Sequence, residues 1–282
     1  MPGTLFLVAT PIGNLEDITA RALRVLGDVA VIAAEDTRRT AQLLSRYAIT
    51  TPTTSLHEHN ETRKAPALVA RLVAGDSVAL VSDAGMPLMS DPGQHLVTLA
   101  IEAGIRVEPI PGPSAIIAAV AASGFATQPF LFLGFPPIRA KDRKEWMAKL
   151  SAASGTVVFF EAPHRIRRTL REILNVVGDR PAVICRELTK AHEELVRGPI
   201  STVVEAPSIE RGELSVVLDM GRPTEPQRRH MASDQELAVE LGSLTNLGGL
   251  SRRLAVQRLA ERHGRRPNEV YEAVERAKRS GK

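Results

Sequence analysis

Short uninterrupted runs of apolar residues recur through the first 115 residues, and most are followed by an amphipathic stretch. Apolar runs without alternation are typical of strands that a parallel sheet buries on both faces. The strand candidates are residues 5–8, 29–34, 78–81 and 107–110. The helix candidates, which carry apolar residues on one face, are residues 19–26, 37–47, 63–74 and 94–103. This alternation predicts an α/β fold built on a parallel sheet.

A second set of strand and helix candidates follows a helix of small residues at 114–123. The strand candidates are 130–133, 156–160, 182–185 and 214–218, and the helix candidates are 144–152 and 166–177. We therefore predict two α/β domains, residues 1–117 and 118–222, followed by a helical module at 223–282.

The predicted helical module carries the positive charge of the chain. Residues 223–282 contain 12 Lys and Arg against 8 Asp and Glu, an excess that equals the net charge of +4 of the whole chain. Residues 223–226 predict a linker, and helices are predicted at 234–244, 251–263 and 268–278. Arginine suits bidentate contact with phosphate, but charged residues also form ordinary solvated helix faces. The composition leaves both interpretations open.

Composition also excludes several classes of protein. No apolar run approaches the ~18 residues of a membrane span. The start of the chain lacks a basic segment followed by a long apolar one, so we expect no signal peptide and a cytoplasmic protein. Cys185 is the single cysteine, which excludes an intrachain disulfide and a multi-cysteine zinc site.

Three of the apolar runs end in turns rich in glycine and proline, at residues 9–14, 82–87 and 111–115. Ligands of an open α/β sheet bind beyond the carboxyl ends of its strands, and small residues there let a ligand approach the backbone. The chain lacks G-x-G-x-x-G after the first strand, a G-x-x-x-x-G-K-[ST] loop and a G-x-S-x-G turn. The turns therefore predict a small-molecule site unlike the common nucleotide-binding and hydrolase sites.

Eight segments of the chain carry more specific information. They are ATPIGNLEDIT (9–19), AAEDTRRT (33–40), HEHNE (57–61), SDAGMPLMSDPG (82–93), PIPGPSA (109–115), FEAPHR (160–165), RELTKAHEE (186–194) and RGELSVVL (211–218). In this order they closely resemble the bacterial small-subunit ribosomal RNA ribose 2′-O-methyltransferases, which belong to the tetrapyrrole methylase superfamily. The resemblance runs from about residue 3 to 220 and continues, less distinctively, into the helical module.

The resemblance implies an enzyme that uses S-adenosylmethionine to methylate the ribose 2′-oxygen of a cytidine in the decoding region of 16S ribosomal RNA. It also implies two α/β domains of the tetrapyrrole methylase type with the cofactor in the cleft between them, a homodimer, and ribosomal RNA or the small ribosomal subunit as partner. A tetrapyrrole methyltransferase and a non-catalytic RNA-binding assembly factor are the alternatives. The arginines at 165–171 and the basic module disfavour the first, and the intact loops at 82–93 and 109–115 disfavour the second.

The resemblance and the positions of the turns together assign the cofactor-binding residues. They are Pro11, Asp83, Ala84, Gly85, Met86, Pro87, Ser114, Ala115, Phe160, Leu188 and Leu214. Asp83 has an alternative role as an ordinary turn residue, and Ser114 is also a good helix N-cap. Two residues depart from the family, which usually has Thr in place of Met86 and Ser in place of Ala162. Met86 is harmless if only its backbone contacts the cofactor.

Methylation of a hydroxyl needs a group that accepts its proton. The candidates for this base, or for positioning the ribose, are Asp36, His57, Glu58 and Lys190, and the sequence does not rank them. The two histidines of HEHNE are spaced i, i+2, unlike those of the H-E-x-x-H zinc motif, so we predict no metal site.

Basic residues supply the candidates for RNA contact. They are Arg38, Arg139, Lys141, Arg165, Arg168, Arg252 and Arg253. Each could contact phosphate or belong to a solvated helix face, and the sequence leaves this choice open.

Overall fold

The computed structural model describes residues 1–221, 233–246, 250–263 and 266–280. The predicted linker at 223–226 lies outside the described residues. The chain divides into two compact units, Met1–Arg222 and Pro223–Lys282. In the part of the chain that the structure describes, no helix is both long enough and apolar enough to cross a membrane.

The first unit begins with a five-stranded sheet. Its strands are β1 (Thr4–Val8), β2 (Val31–Ala34), β3 (Thr53–Ser55), β4 (Val78–Val81) and β5 (Arg106–Ile110). All of them run parallel, in the spatial order β3-β2-β4-β1-β5, which confirms the predicted parallel α/β sheet. The apolar pattern does not predict β3, because this strand is a polar three-residue edge that pairs with β2.

Five helices follow the strands of this sheet. They are α1 (Ala20–Asp28), α2 (Thr37–Arg46), α3 (Glu61–Ala74), α4 (Gln94–Glu102) and α5 (Ala115–Ser123). Helices α1 and α2 cover one face of the sheet, and α3 and α4 cover the other. Every residue of β2 and β4 is therefore buried, which explains their unbroken apolar sequence. The side chains of Thr19, Asp36 and Ser114 cap α1, α2 and α5.

Helix α5 leaves the first sheet and packs on a second one. Its residues Ile116, Ala119 and Val120 share a buried cluster with Val158 and Val217 of the second sheet. The predicted boundary between residues 117 and 118 falls inside this helix. Residues 111–114 consequently carry the chain from one sheet to the other.

The second sheet completes the first unit. Its strands are β6 (Phe130–Phe132), β7 (Thr156–Glu161), β8 (Pro181–Arg186), β9 (Glu194–Pro199) and β10 (Leu214–Asp219). Their spatial order is β6-β7-β10-β8-β9, with β6 parallel to β7 and the other pairs antiparallel. Strand β9 is a partly exposed edge strand with a polar, glycine-containing sequence, and the apolar pattern does not predict it. The remaining helices of the unit are α6 (Ala140–Ala152), α7 (Ile166–Val177), α8 (Ile200–Val203) and two short 3-10 helices, Leu15–Asp17 and Pro207–Glu210.

The core of the second half lies between its sheet and helices α6, α7 and α8. Phe159 is fully buried and meets Trp146 edge to face, with 5.3 Å between ring centroids. Trp146 also donates a hydrogen bond from Nε1 to the Leu133 carbonyl at 2.9 Å. Because α5 covers the opposite face, the second sheet, like the first, is buried on both sides.

The second unit, within its described residues, consists of α9 (Asp234–Asn246), α10 (Arg252–His263) and α11 (Pro267–Ser280). Helix α11 begins at Pro267, one residue before its predicted start, because proline is well suited to the first position of a helix. The N–H of Arg266 is satisfied by Glu269 Oε2 at 2.9 Å. The three helices enclose a small core of their own, made by Leu237, Leu241, Ala255, Val256, Leu259, Ala260, Val270, Ala273 and Val274.

Candidate functional site

A cavity of about 330 Å³, the central cavity, opens at the carboxyl ends of the strands of the first sheet. Ile12, Glu35 and Asp83 line one side of it, and they follow β1, β2 and β4. Phe160 of β7 and Leu214 of β10 line the other side. The central cavity is therefore the cleft between the two halves of the first unit, at the edge where an open α/β sheet binds its ligands.

Most residues predicted to bind the cofactor lie at this cavity. Those that line it are Asp83, Ala84, Gly85, Met86, Ser114, Ala115, Phe160, Leu188 and Leu214. Pro87 is buried and lies outside the lining. Pro11 lines a neighbouring cavity of about 400 Å³, the Lys190 cavity, together with Arg39 and Lys190. The geometry brings this set together, and the binding role of each residue stays a prediction.

The turn after β4 is held against the end of β1 by backbone hydrogen bonds. Thr10 N donates to Gly85 O at 2.9 Å, and Gly85 N donates to Thr10 O at 3.0 Å. Gly85 has a φ of +80°, where residues with a side chain are strained, and a Cβ there would lie 3.4 Å from Ile12 Cγ2. Met86, which lines the central cavity, also packs against the core of the first sheet.

A hydrogen-bonded carboxylate cluster forms the first-sheet wall of the central cavity. Asp83 Oδ1 accepts from Asp36 N at 3.0 Å, and Asp83 N donates to Glu35 Oε2 at 3.2 Å. Arg39 pairs with Asp83 Oδ2 at 3.4 Å. Burial raises the pKa of Glu35, and the nearby negative charge of Asp83 adds to this effect. Asp83 is thus held by both its backbone and its carboxylate, which is more than a simple turn requires.

Asp91 adds a second perturbed carboxyl group to the same wall. It lines the central cavity. Burial raises its pKa to about 6, and the negative charges of Glu35 and Asp83 act in the same direction. Asp91 and Glu35 are not among the site residues predicted from the sequence, although they lie in SDAGMPLMSDPG and AAEDTRRT, because burial is not visible in those motifs.

Asp36, the first predicted catalytic residue, does not line the central cavity. Its carboxylate caps α2, accepting from Arg38 N at 2.8 Å, and pairs with Arg38 Nη2 at 2.9 Å. These hydrogen bonds from Arg38 lower the pKa of Asp36 to about 2. A carboxylate with so low a pKa is a weak base, so the geometry gives Asp36 a structural role.

His57 and Glu58 line a third cavity of about 510 Å³, the His57 cavity. Asn60 Oδ1 accepts from His57 N at 3.0 Å, which turns the Asn60 Nδ2 group toward His57 Nε2 at 2.8 Å. His57 Nε2 must then accept, which places the proton on Nδ1, a buried atom without a partner among the described residues. The imidazole is therefore occupied in positioning its own loop. Within the described ranges, no group of three or more His, Cys, Asp and Glu side chains is arranged to hold a metal.

Lys190, the last predicted catalytic residue, is paired with two carboxylates. Its Nζ lies 3.0 Å from Glu187 Oε1 and 3.0 Å from Glu213 Oε2. Burial favours the neutral amine, but the hydrogen bonds to Glu187 and Glu213 outweigh it and raise the pKa of Lys190. Lys190 thus stays protonated at neutral pH and contributes a positive charge and hydrogen-bond donors to its cavity.

The loop that carries Lys190 also joins the two halves of the first unit. Asn14 N donates to Thr189 Oγ1 at 3.0 Å. A Cβ on Gly13 would lie 2.5 Å from Lys190 Cγ and 2.7 Å from Leu188 O, so only glycine fits at this crossing. The turn after β1 and the loop after β8 therefore close the cleft by direct contact.

Arg165, a predicted RNA contact, is used inside the protein. Its Nε lies 3.1 Å from Oε1 of Glu161, whose side chain is fully buried. Glu161 also accepts from Thr169 Oγ1 at 2.6 Å and from Ala162 N at 2.9 Å. A second arginine, Arg143, donates to Thr169 Oγ1 at 2.8 Å and extends the network. Arg165 thus neutralises a buried carboxylate.

The other predicted RNA contacts lie on the surface. In the first unit, Arg38, Arg139, Lys141 and Arg168 are exposed, and Arg168 pairs with Glu172 at 2.8 Å. In the second unit, Arg253 is exposed, and Arg252 pairs with Glu275 and stacks over the Tyr271 ring at 5.2 Å. These side chains are available for phosphate contact, and that role stays a prediction.

Comparison with known proteins shows the family. Residues 4–204 match the model of the tetrapyrrole (corrin/porphyrin) methylases. The chain therefore belongs to the tetrapyrrole methylase family. Its two α/β sheets are also found in the uroporphyrin-III C-methyltransferase of Thermus thermophilus complexed with S-adenosyl homocysteine, which has a TM-score of 0.57 at 18% identity and covers 77% of this chain and 97% of that one.

Two relatives are more similar in sequence to this chain. The chain is 42% identical over 276 residues to a protein of Vibrio cholerae, covering 95% of this chain and 92% of the relative. It is 46% identical over 228 residues to a protein of Halalkalibacterium halodurans, covering 80% of this chain and 79% of the relative. Both relatives are named ribosomal RNA small subunit methyltransferase I.

Proposed function

We propose that this protein uses S-adenosylmethionine to methylate the ribose 2′-oxygen of a cytidine in 16S ribosomal RNA. The observation that carries the proposal is the central cavity, which the two halves of a tetrapyrrole methylase fold build at the carboxyl ends of β1, β2 and β4. The names of relatives that are more than 40% identical over most of the chain support ribosomal RNA as the substrate. The homologous fold with bound S-adenosyl homocysteine supports the cofactor.

The residues of the central cavity suit S-adenosylmethionine. The turn around Gly85 presents backbone to the cavity, and Ser114 and Ala115 begin helix α5 at its wall. Phe160 and Phe135 lie 5.4 Å apart and offer an aromatic surface for an adenine ring. The carboxylate of Asp83 suits the positive groups of the cofactor. When bound, S-adenosylmethionine supplies an electrophilic methyl group, and the protein aligns the acceptor oxygen with it.

The partner and the assembly belong to the same proposal. Exposed arginines on both units support contact with RNA phosphates. Phe130, Leu131, Phe135 and Ile138 are large apolar residues that stay exposed along one segment, which supports a homodimer surface. A ribosomal RNA substrate implies a cytoplasmic protein.

Two measurements test the proposal. Calorimetric titration of the purified protein with S-adenosylmethionine should show one binding site in each chain. A titration without heat of binding would refute the central cavity as a cofactor site. Mass mapping of 16S ribosomal RNA from cells with and without the protein should show one ribose methyl group that depends on it. An unchanged RNA map would refute the substrate, and transfer of the methyl group to a porphyrinoid would favour the tetrapyrrole alternative.

A further inference from the structure

The central cavity and the His57 cavity meet at three residues. Glu35, Ser90 and Asp91 line both of them. The central cavity carries the residues suited to the cofactor, whereas the His57 cavity opens on the other side of this seam. A group transferred from a cofactor in one cavity to a substrate in the other must pass beside these residues.

We propose that the carboxylate of Asp91 is the catalytic base that takes the proton of the ribose hydroxyl, and that the ribose approaches from the His57 cavity. This inference rests on the proposed function and adds to it the base and the side of entry. None of the four bases considered from the sequence occupies the seam, because Asp36, His57, Glu58 and Lys190 do not line the central cavity.

The hydrogen-bond partners distinguish Asp91 from the other carboxylates of the wall. Asp83 is paired with Arg39 and accepts from Asp36 N. Glu35 accepts from Asp83 N and is used to hold the turn. Among the described residues no cation lies within ion-pair distance of the Asp91 carboxylate, and the neighbouring Ser82 hydroxyl donates to the Ala84 carbonyl. The Asp91 oxygens can therefore accept a proton without breaking an ion pair.

The surroundings of Asp91 also strengthen it as a base. Burial raises its pKa to about 6, so the group is ionised at neutral pH yet more basic than an exposed aspartate. Charged or titratable groups share the two cavities with Asp91. In the central cavity they are Glu35, Arg39, Asp83, Glu161, Cys185 and Glu213, and in the His57 cavity they are His57, Glu58, His59 and Glu61. Besides Asp91 itself, the His57 cavity thus carries two histidines and three carboxylates, since Glu35 lines both cavities.

The step balances without a further reagent. The ribose oxygen attacks the methyl carbon, the new O–C bond forms, and the bond between this carbon and the sulfonium sulfur breaks. The electron pair of the broken bond neutralises the sulfur, and the hydroxyl proton moves to an Asp91 oxygen. Asp91 then releases the proton to water through the His57 cavity.

The test is the Asp91→Asn protein, which keeps the shape of the side chain and removes the base. Single-turnover methylation of 16S ribosomal RNA by the wild type should rise about tenfold per pH unit below pH 6 and level off above it. The Asp91→Asn rate should be about 10²–10⁴-fold lower and should not show this rise with pH. Asp91→Glu should keep this rise at an intermediate rate. Asp76→Asn, an equal change at an aspartate paired with Arg71 on the surface, should match the wild type.

Two further readouts separate catalysis from binding and from folding. Calorimetry should give unchanged S-adenosylmethionine affinity for Asp91→Asn, and carbon-13 NMR of aspartate-labelled protein without cofactor should show one carboxyl titrating near pH 6 that is missing from the variant. Three outcomes would overturn the assignment. The Asp91→Asn rate could stay within threefold of the wild type, or the variant could lose only cofactor affinity. The rise of the rate with pH could also be absent from Glu35→Gln while Asp91→Asn retains it. If the wild type itself binds no cofactor or methylates no RNA, the proposed function fails and the assignment fails with it.

Discussion

Replacing Arg165 with alanine should destabilise the first unit rather than simply weaken RNA binding. Arg165 is the cation next to Glu161, a carboxylate with a fully buried side chain. Removing one partner of a buried ion pair typically costs about 3–5 kcal/mol, because the other charge stays buried without compensation. Glu161 keeps its hydrogen bonds from Thr169 and Ala162, so we expect a loss of stability at the lower end of this range, about 3 kcal/mol.

Thermal unfolding followed by circular dichroism measures this effect. For a domain of about 150–250 residues, 1 kcal/mol shifts Tm by roughly 2–4 °C, so Arg165→Ala should lower Tm by about 6–12 °C. Arg168→Ala is the matched control, since Arg168 lies one turn along, is 78% exposed and pairs with Glu172 on the surface. Its ion pair should contribute less than about 1 kcal/mol.

A double substitution tests the cause of the effect. If an uncompensated charge is responsible, Glu161→Gln should recover much of the lost Tm when it is made in the Arg165→Ala protein. The opposite result would be an Arg165→Ala protein that keeps the wild-type Tm but binds RNA more weakly, with an RNA affinity that depends less on salt. Arg165 would then contact phosphate, and the structural reasoning would be refuted.

Three further changes have expected outcomes. Gly85→Val should weaken S-adenosylmethionine binding at least about tenfold by calorimetry, because a branched residue is strained at a φ of +80° and its methyl groups enter the cavity; an unchanged Kd in a folded variant would contradict this. Burial raises the pKa of the Cys185 thiol to about 12, so iodoacetamide at pH 8 should label this residue only after unfolding. Rapid labelling of the native protein would show that the surroundings of Cys185 open to solvent. Deleting residues 223–282 should leave a folded core that still binds cofactor. The slope of log RNA affinity against log salt should become shallower by roughly 0.7–0.9 for each phosphate that these residues neutralise in the full chain. An unchanged slope would assign phosphate binding to residues such as Arg139 and Lys141 instead.

The sequence predicts the buried strands of the fold and the edge strands β5 and β6, but it misses the edge strands β3 and β9. Strands such as β4 are buried on both faces, so their composition alone identifies them. Strands β3 and β9 lie at sheet edges with partly exposed side chains, and pairing with a neighbour rather than composition makes them strands. The packing of α5 on the second sheet is likewise a tertiary property, since its small apolar residues would suit either sheet.

At the site, the sequence predicts the cavity better than the chemistry. The turns after the strands contain most of the residues that line the cavity, because topology alone brings them together. The sequence does not distinguish Glu35 from its neighbour Asp36, although one faces the cavity and the other caps a helix. Arg165 and Arg168 also look equivalent in the sequence, and only the burial of Glu161 separates them.

The place of β10 in the second sheet has a consequence for synthesis on the ribosome. The first sheet is complete once β5 has emerged at residue 110, since its five strands lie within one continuous segment. The second sheet needs Leu214–Asp219 between β7 and β8, although these two strands are made more than 25 residues earlier. Until β10 emerges, β7 and β8 each present an unpaired, almost wholly apolar edge. The nascent chain is therefore open to wrong strand pairing over this interval, and a pause in translation before residue 214 would prolong it.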